Sequence, residues 1–491
     1  MNEDEVKGTG STEPMRKKLG ESHWLFLLGC LLVSAALVFN GYQLWRRTQL
    51  VQTPVGAEGD STTMLMELIQ QDQELYSLLE AYQYLSVNST LKPEKGSLVD
   101  AAIAGMLETL GDDYASYYEA DDFSMKMDDR SGFYSGIGAS VITSGGYITI
   151  VQPYENSPAK KAGLQTGDQI LAVDGTDVIG WSTQDGIVLV RGEVGTDVVL
   201  TIRRPGQKED FDVSITRALV ETITVTGEMD EDGIATIKIS SFNDQTGKQV
   251  ETFLKEFREQ GLKGLLLDLR SNGGGTHTGV VETAKLLVPE GKIFSITYAN
   301  GYTNEEFSTL KDRGFPVVVL VNQYSASASE VLAGALQDSG DPVVGVTTYG
   351  KGVGQSSSAL TNGSGLTFTT SNWHTRNGHW VAGVGLTPNL FIVDVSFPLG
   401  VIESEKMKDS DIRLLQAKLT ALGYPVTEEN FGPITQLALG TYQKTLGLEV
   451  TGQLNLETVQ QLNADCYALP LAETDMQREA AITELKGILA K

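Results

Sequence analysis

Leu265-Leu266-Leu267-Asp268-Leu269-Arg270-Ser271-Asn272-Gly273-Gly274-Gly275 is the stretch on which the reading of this chain turns. A short apolar run passes at once into a polar turn and three glycines. That is the pattern of a strand buried on both faces which delivers a loop to a surface. The pattern recurs twice. Val317-Val318-Val319-Leu320-Val321-Asn322 leads to Ser325-Ala326-Ser327-Ala328-Ser329-Glu330, and Val343 to Val346 leads to Gly350-Lys351-Gly352-Val353-Gly354-Gln355. Helical stretches (Val250 to Glu259, Val280 to Leu287, Ser329 to Ala335) alternate with these runs and with Ile234 to Ile239. The alternation from Ala218 to about Glu403 predicts an α/β domain in which three loops converge at one edge of a sheet.

The residues on those loops suggest nucleophilic chemistry. A serine hydroxyl needs a base to take its proton, and a lysine amine can serve if its surroundings keep it neutral. Lys351 lies between two glycines beside a Val-rich strand, which fits a backbone packed tightly around an amine. The glycine run can turn N–H groups toward an oxyanion, because glycine tolerates the dihedrals required. The amide of Ala328 is a natural second donor. Each motif alone has a plainer reading: Ser-Ala-Ser-Ala-Ser as a helix cap, Gly-Lys-Gly as a surface turn. Three in order, each after an apolar strand, are far more specific.

Together they resemble the carboxyl-terminal processing, or tail-specific, proteases, whose pattern combines a DLR-N-x-GG loop, an SASASE loop that starts a helix, and a GKG-x-x-Q loop. The resemblance implies that Ser327 is the nucleophile, Lys351 the general base, and Gln355 the residue that positions the lysine. Amides near Gly274 and Ala328 would hold the oxyanion. Two departures are visible. The interval 351 − 327 = 24 is one residue shorter than usual, and Gly273 stands where many members have proline. A Ser-His-Asp triad using His277 and Asp338 is the rival mechanism. His374 and His379 flank a turn at Asn377-Gly378, expected between two hairpin strands, and are read as structural; no metal site and no cofactor is expected.

Residues 132–217 read differently. Ala139-Ser140-Val141, Tyr147 to Val151 and Val198 to Ile202 are short alternating runs, expected to be strands. Gly167-Asp168-Gln169-Ile170-Leu171-Ala172-Val173-Asp174-Gly175 makes this stretch resemble a PDZ domain, with Gly136, Ile137 and Gly138 matching its carboxylate-binding loop. Such a loop would cradle a terminal carboxylate while a strand edge pairs with the peptide. Arg191, near the end of an apolar PDZ helix, is a candidate contact to the protease core that couples peptide capture to assembly of the Ser-Lys pair.

The chain has 491 residues, room for three or four domains, and a formal charge of −26. That charge argues against nucleic acid as a partner, since phosphate contacts need a positive face. Trp24 to Trp45 is uncharged, apolar, and flanked by Arg16, Lys17 and Lys18 on one side and Arg46 and Arg47 on the other. It is expected to span a membrane once as an uncleaved anchor. Residues 1–23 would then be a cytoplasmic tail and 46–61 a linker, with the catalytic part outside the cytoplasmic membrane. Cys30 falls in the apolar run, so no disulfide with Cys466 is expected.

Residues 62–131 read as a helical segment. One amphipathic helix is expected from Thr62 to Ser86 and a second from Ser97, ended by Gly111; members of the resembled family often dimerise through this segment. Asp112-Asp113-Tyr114 is read as structural. Beyond a charged linker, residues 409–465 resemble the three-helix peptidoglycan-binding domain of cell-wall enzymes, and 466–491 reads as one C-terminal helix. The fold expected is therefore multidomain α/β and α+β: transmembrane helix, helical segment, PDZ β-domain, α/β Ser-Lys protease core (218–403) and small helical domain. The function expected is a membrane-anchored serine endopeptidase acting on proteins or peptides with accessible C-termini, with peptidoglycan and a second copy as further partners. The alternative is a non-catalytic PDZ and peptidoglycan-binding scaffold.

Overall fold

The computed structural model describes residues 72–94, 96–401, 406–407, 409–428, 430–469 and 475–491. The expected cytoplasmic tail, transmembrane helix (24–45) and linker lie outside these residues, as does the start of the helix expected from Thr62. No helix among the described residues is long and apolar enough to cross a membrane. The described residues divide into two compact units, one from within 72–109 with 357–360 and the other the remainder.

In the first unit, α1 (Gln73–Asn88) starts at Asp72, whose carboxylate accepts from the Glu74 and Leu75 amides. A short connection leads to α2 (Ser97–Glu108). No residue of either helix is buried, and Tyr76, Leu79, Tyr82 and Leu85 stand exposed.

The second unit opens with β1 (Ser116–Tyr118), then α3 (Ala120–Ser131) and β2 (Phe133–Gly136). The strand β1 is an addition to the segment 62–131, which reads from sequence as helical. A β-domain follows: β3 (Ala139–Ser144), β4 (Tyr147–Pro153), α4 (Pro158–Lys161), β5 (Gln169–Val173), β6 (Thr176–Asp177), α5 (Thr183–Val190), β7 (Asp197–Arg203) and β8 (Phe211–Thr216). Its sheet runs β3-β4-β5-β7-β8, with β6 on β5. Alternate residues Val198, Leu200 and Ile202 point into a core with Ile148, Ile150 and Ile170. β9 (Ala218–Glu221) returns to pair with β2, so a two-stranded ribbon closes the domain's neck.

The α/β core comprises β10 (Val225–Met229), β11 (Ile234–Ile239), α6 (Thr246–Glu259), β12 (Gly264–Asp268), α7 (His277–Leu287), β13 (Gly291–Tyr298), β14 (Thr303–Ser308), β15 (Val317–Val321), α8 (Ala328–Asp338), β16 (Val343–Gly345), β17 (Val353–Ala359), β18 (Gly365–His374) and β19 (Leu390–Phe391). One sheet has the order β10-β11-β12-β15-β16-β19, parallel from β11 onward. Every residue of β12, β15 and β16 is buried. Side chains alternate between two clusters: Leu265, Leu267, Val317, Val319 and Val321 with the residues of α6, α7 and α8, and Leu266, Val318 and Leu320 on the other face.

A second sheet, β1-β18-β13-β14 with β17 on β18, has no counterpart in the sequence reading. The hairpin expected around Asn377-Gly378 is also corrected. His374 ends β18, the turn closes through the Thr375 amide on the His379 carbonyl at 2.9 Å, and no strand follows immediately.

Three helices follow the core: α9 (Asp409–Ala421), α10 (Pro433–Thr445) and α11 (Leu456–Tyr467), packed around Leu415, Leu419, Leu439 and Leu462. The last helix, α12 (Met476–Leu489), lays Ala481 and Leu485 on Ile234, Leu266, Val318, Leu320 and Val344. The boundary expected at 465/466 thus falls inside α11, and the final helix is a layer of the protease sheet.

Candidate active site

β12, β15 and β16 are neighbours in the sheet and point the same way, so the loops leaving their carboxyl ends meet. This is where open parallel sheets place ligands. Ser327 sits at the end of the middle loop, immediately before α8, with φ 55° and ψ −114°. A non-glycine residue in that region costs about 1–3 kcal/mol and persists only when its surroundings enforce it. Here they do. The Ser325 hydroxyl donates to the Leu269 carbonyl (2.8 Å) and accepts from the Asn322 amide (2.9 Å). The Ala326 amide and the Ser329 hydroxyl both donate to the Asn272 carbonyl, at 3.0 and 2.9 Å.

Gly274 is pressed against the serine. Its φ is +102°, and a Cβ there would stand 2.8 Å from the Ser327 Cβ and 3.0 Å from the Ala328 nitrogen. Its amide, however, donates to the side-chain oxygen of Asn272 at 2.9 Å, so in this arrangement that N–H is already engaged. Ala328 is the first residue of α8, where an amide has no carbonyl partner within the helix.

Glu330 joins the serine loop to the lysine loop. Its carboxylate is fully buried. One oxygen accepts from the amides of Ser327 and Lys351, both at 2.8 Å; the other accepts from the Thr348 hydroxyl and the Gly350 amide, both at 2.6 Å. The two amide nitrogens on the shared oxygen are therefore no farther apart than twice 2.8 Å. Burial pushes the Glu330 carboxyl up from its usual range, while the four donors oppose that. The sequence carried the signal, since Ser327-x-x-Glu330 is a capping-box spacing.

The Lys351 backbone is held on both sides. Gly350 has φ +86°, and a Cβ at Gly352 would lie 2.6 Å from the Ala382 nitrogen. The Trp373 indole donates to the Lys351 carbonyl at 2.9 Å. The side chain behaves differently: Nζ lies 4.5 Å from the centre of the Tyr114 ring. Among the described residues it donates no hydrogen bond, and the Ser327 hydroxyl donates none. Burial lowers the lysine pKa first, and the nearby Lys126 charge lowers it further; Asp112 and Glu330 pull it back up. Gln355, on β17, directs its amide to the Thr369 hydroxyl at 3.3 Å. Asp112 accepts from the Thr369 amide (2.7 Å) and hydroxyl (3.0 Å). Asp112 thus has the structural contacts expected of it, but Tyr114, two residues on, forms the floor beneath the lysine. Tyr114 and Lys126 went unrecognised because they lie more than 200 positions upstream.

The rival triad is not assembled. His277 Nε2 faces Glu306 at 3.3 Å, and its ring lies 5.6 Å from that of Phe294. Asp338 accepts from the Asn377 amide at 2.8 Å and lies 3.9 Å from His379. Among the described residues no group of acidic, histidine or cysteine side chains could hold a metal ion.

In the β-domain, Gly136 ends β2 and pairs with Ala218 rather than belonging to a free loop. Ile137 is buried in the domain core. The carbonyls of Ile137 and Gly138 accept from the amides of Ala159 (2.7 Å) and Tyr154 (2.9 Å). Gly138 has φ +77°, and a Cβ there would lie 2.5 Å from the Ser157 Cβ. The turn feeds β3, the edge strand, which faces α5 across a Thr143–Thr183 hydroxyl bond of 2.8 Å. Gly186 lets α5 sit close, since a Cβ there would meet Ile148 at 2.1 Å. Arg191 caps α5, but its side chain does not reach the 218–403 core as expected. It lies 5.1 Å from the Tyr134 ring and 3.7–4.0 Å from Asp129 and Asp128 on α3. Among the described residues its Nε and Nη1 are buried without hydrogen-bond partners. Lys126, on the same helix, lies 4.6 Å from the Tyr118 ring centre.

Four family models match successive parts of the chain. The family model for peptidase family S41 matches residues 233–392 and that for the PDZ domain 149–204. The peptidoglycan binding domain model matches 408–462, and that of the activating protease CtpB N-terminal domain 31–122. Carboxy-terminal processing protease CtpA of Bacillus subtilis (strain 168) is 33% identical over 433 residues, 84% of this chain and 91% of its own. CtpB of the same organism is 31% identical over 474 residues, 93% of this chain and 97% of its own. A solved photosystem II D1 C-terminal processing protease is 30% identical, covering 65% of this chain and 87% of that one with a TM-score of 0.38. A PDZ domain set ahead of an α/β peptidase core defines the class. The chain belongs to peptidase family S41, alongside the carboxy-terminal processing proteases CtpA and CtpB.

Proposed function

We propose that the chain is a serine endopeptidase with a Ser327–Lys351 pair, anchored in the membrane by residues 24–45 and acting outside it on protein C-terminal tails. The observation that carries this reading is the single Glu330 oxygen that accepts from the amides of both Ser327 and Lys351. In the reaction, Ser327 Oγ attacks the peptide carbonyl as its proton passes to neutral Lys351 Nζ. The tetrahedral oxyanion takes the Ala328 amide and one amide of the glycine run; Gly274 serves if Asn272 releases it. Lys351 then protonates the leaving amine, the acyl-enzyme forms, and water completes hydrolysis with Lys351 again as base. Gln355 orients the lysine.

The lysine resting on Tyr114 fits a form that awaits a signal. The Gly136–Gly138 turn and the β3 edge would capture the substrate's C-terminus. Arg191 would relay capture through α3, which carries Lys126 near the base. Arg191→Ala should then lower kcat several-fold more than it lowers peptide affinity; equal losses would remove the relay. The exposed apolar faces of α1 and α2 suit a second copy, and the three-helix module suits peptidoglycan.

The test is proteolysis of an unfolded protein by the full chain in detergent, with and without a PDZ-binding peptide, against Ser327→Ala. Activity that vanishes in the variant supports the peptidase. Two inert proteins under both conditions would favour the scaffold.

A further inference from the structure

The glycine loop after β12 is pinned from outside the protease sequence. Arg270 is 12% exposed and carries two carboxylates. Its Nε and Nη2 donate to Asp268 at 3.0 and 2.8 Å. Its Nη1 and Nη2 donate to the two oxygens of Asp475, both at 2.7 Å. The next residue, Ser271, has φ 59°, a left-handed conformation for a residue with a side chain. Its amide is held by Asn322 Oδ1 at 2.8 Å. Asn272 follows, and its carbonyl receives the Ala326 amide and the Ser329 hydroxyl of the serine loop. The Arg270 clamp therefore sits one residue before a strained turn and two before the serine loop's anchor.

Asp475 caps α12, accepting from the Arg478 amide at 2.9 Å. Next along that helix, Gln477 donates to the Ile392 carbonyl at 2.8 Å, tying the helix to the strand end that leads into the three-helix module. At the module's entry, the Tyr324 hydroxyl, three residues before Ser327, donates to the Pro398 carbonyl at 3.0 Å. The buried Lys418 ammonium donates to the Val395 carbonyl at 2.7 Å. Both junctions of the module thus end on loops that carry the candidate site.

From this geometry we infer that Asp475 is a positioning residue: through a two-pronged hold on Arg270 it fixes the loop that presents the glycine amides to Ser327. A bidentate carboxylate–guanidinium pair fixes orientation as well as distance, which a single contact does not. The three-helix module is then inserted between the protease sheet and the helix that steadies its site. The inference rests on the Ser327–Lys351 reading.

Asp475→Asn isolates the effect, because asparagine caps a helix as well as aspartate does and Arg270 keeps Asp268. With the full chain and a chromogenic peptide, kcat should fall about tenfold, since misplaced catalytic groups lose rate steeply. KM, Tm and PDZ-peptide affinity should stay near the wild-type values, and Asp475→Glu should recover part of kcat. Lys486→Ala, on the same helix, removes only an exposed pair with Asp232 and should leave kcat unchanged. Wild-type kcat in Asp475→Asn overturns the inference. So does a loss of kcat that merely follows a lowered Tm. Ser327→Ala run in parallel separates the two levels: full activity there removes the underlying reading whatever Asp475→Asn does.

Discussion

The serine loop and the lysine loop leave adjacent strands and share one carboxylate, yet they are held in opposite ways. The serine loop is fixed through side chain and backbone alike: Ser325, Ala326 and Ser329 are bonded to the neighbouring loop, and Ser327 itself is held in a strained conformation. The lysine loop is tied by the Thr348 hydroxyl and by backbone, but Lys351 itself is fixed only in its backbone. Lys351 sends its amide to Glu330 and its carbonyl to Trp373, while its ammonium rests on an aromatic ring. A nucleophile can be set at folding, since it is used in the same protonation state in which it waits. A lysine base must first shed a proton, so on the proposed Ser-Lys reading regulation would fall on the lysine side.

Removing either reacting group should do most damage. Ser327→Ala and Lys351→Ala are each expected to lower kcat by about 10³-fold or more, and the double variant little further, because groups that act as a unit are not additive. A double variant losing the product of the two effects would break the pairing. Glu330→Gln comes next. It leaves buried amides on a neutral partner and replaces one acceptor oxygen by a donor. We expect a loss of about 2–4 kcal/mol in stability and about 10–100-fold in kcat, read by denaturant unfolding and steady-state kinetics. Unchanged kcat with lowered stability would show that Glu330 holds the fold and not the register of the loops.

The smallest effects are shifts in the pH profile, and their signs are opposed. Activity should rise with pH as Lys351 loses its proton, with a midpoint below the ordinary lysine value because burial and then Lys126 disfavour its charge. Tyr114→Leu removes a ring that favours the ammonium, so the acid limb should move to lower pH. Lys126→Met removes a repelling charge, so the limb should move to higher pH. A cation–π contact of about 0.5–2 kcal/mol corresponds to roughly 0.4–1.5 pH units. Shifts of the same sign would mean that Tyr114 does not seat the lysine.

Much of this was legible because parallel strands buried on both faces announce themselves as unbroken apolar runs, and the loops at their ends carried recognisable residue patterns. The second sheet was not. Lys292-Ile293-Phe294-Ser295 mixes polar and apolar residues without a clean period, and Gln355-Ser356-Ser357-Ser358 is polar throughout, so neither shows a strand's alternation. Tyr114 was passed over because its partner lies 237 positions away (351 − 114). Gly274 shows the opposite limit: the resemblance implied a glycine amide beside the serine, but nothing in the sequence says that this amide turns to Asn272. The last helix is read from sequence only as a C-terminal helix, because nothing in Met476 to Leu489 says which surface its small apolar face will cover.

The central claim is that Lys351 activates Ser327, and pH-resolved labelling of the full chain with a fluorophosphonate probe tests it most directly. The account predicts one adduct, on Ser327. Its rate of formation should climb with pH to a midpoint below that of an ordinary lysine and fall at least about 10²-fold in Lys351→Ala. An adduct formed at the same rate in that variant, or on another residue, would contradict it.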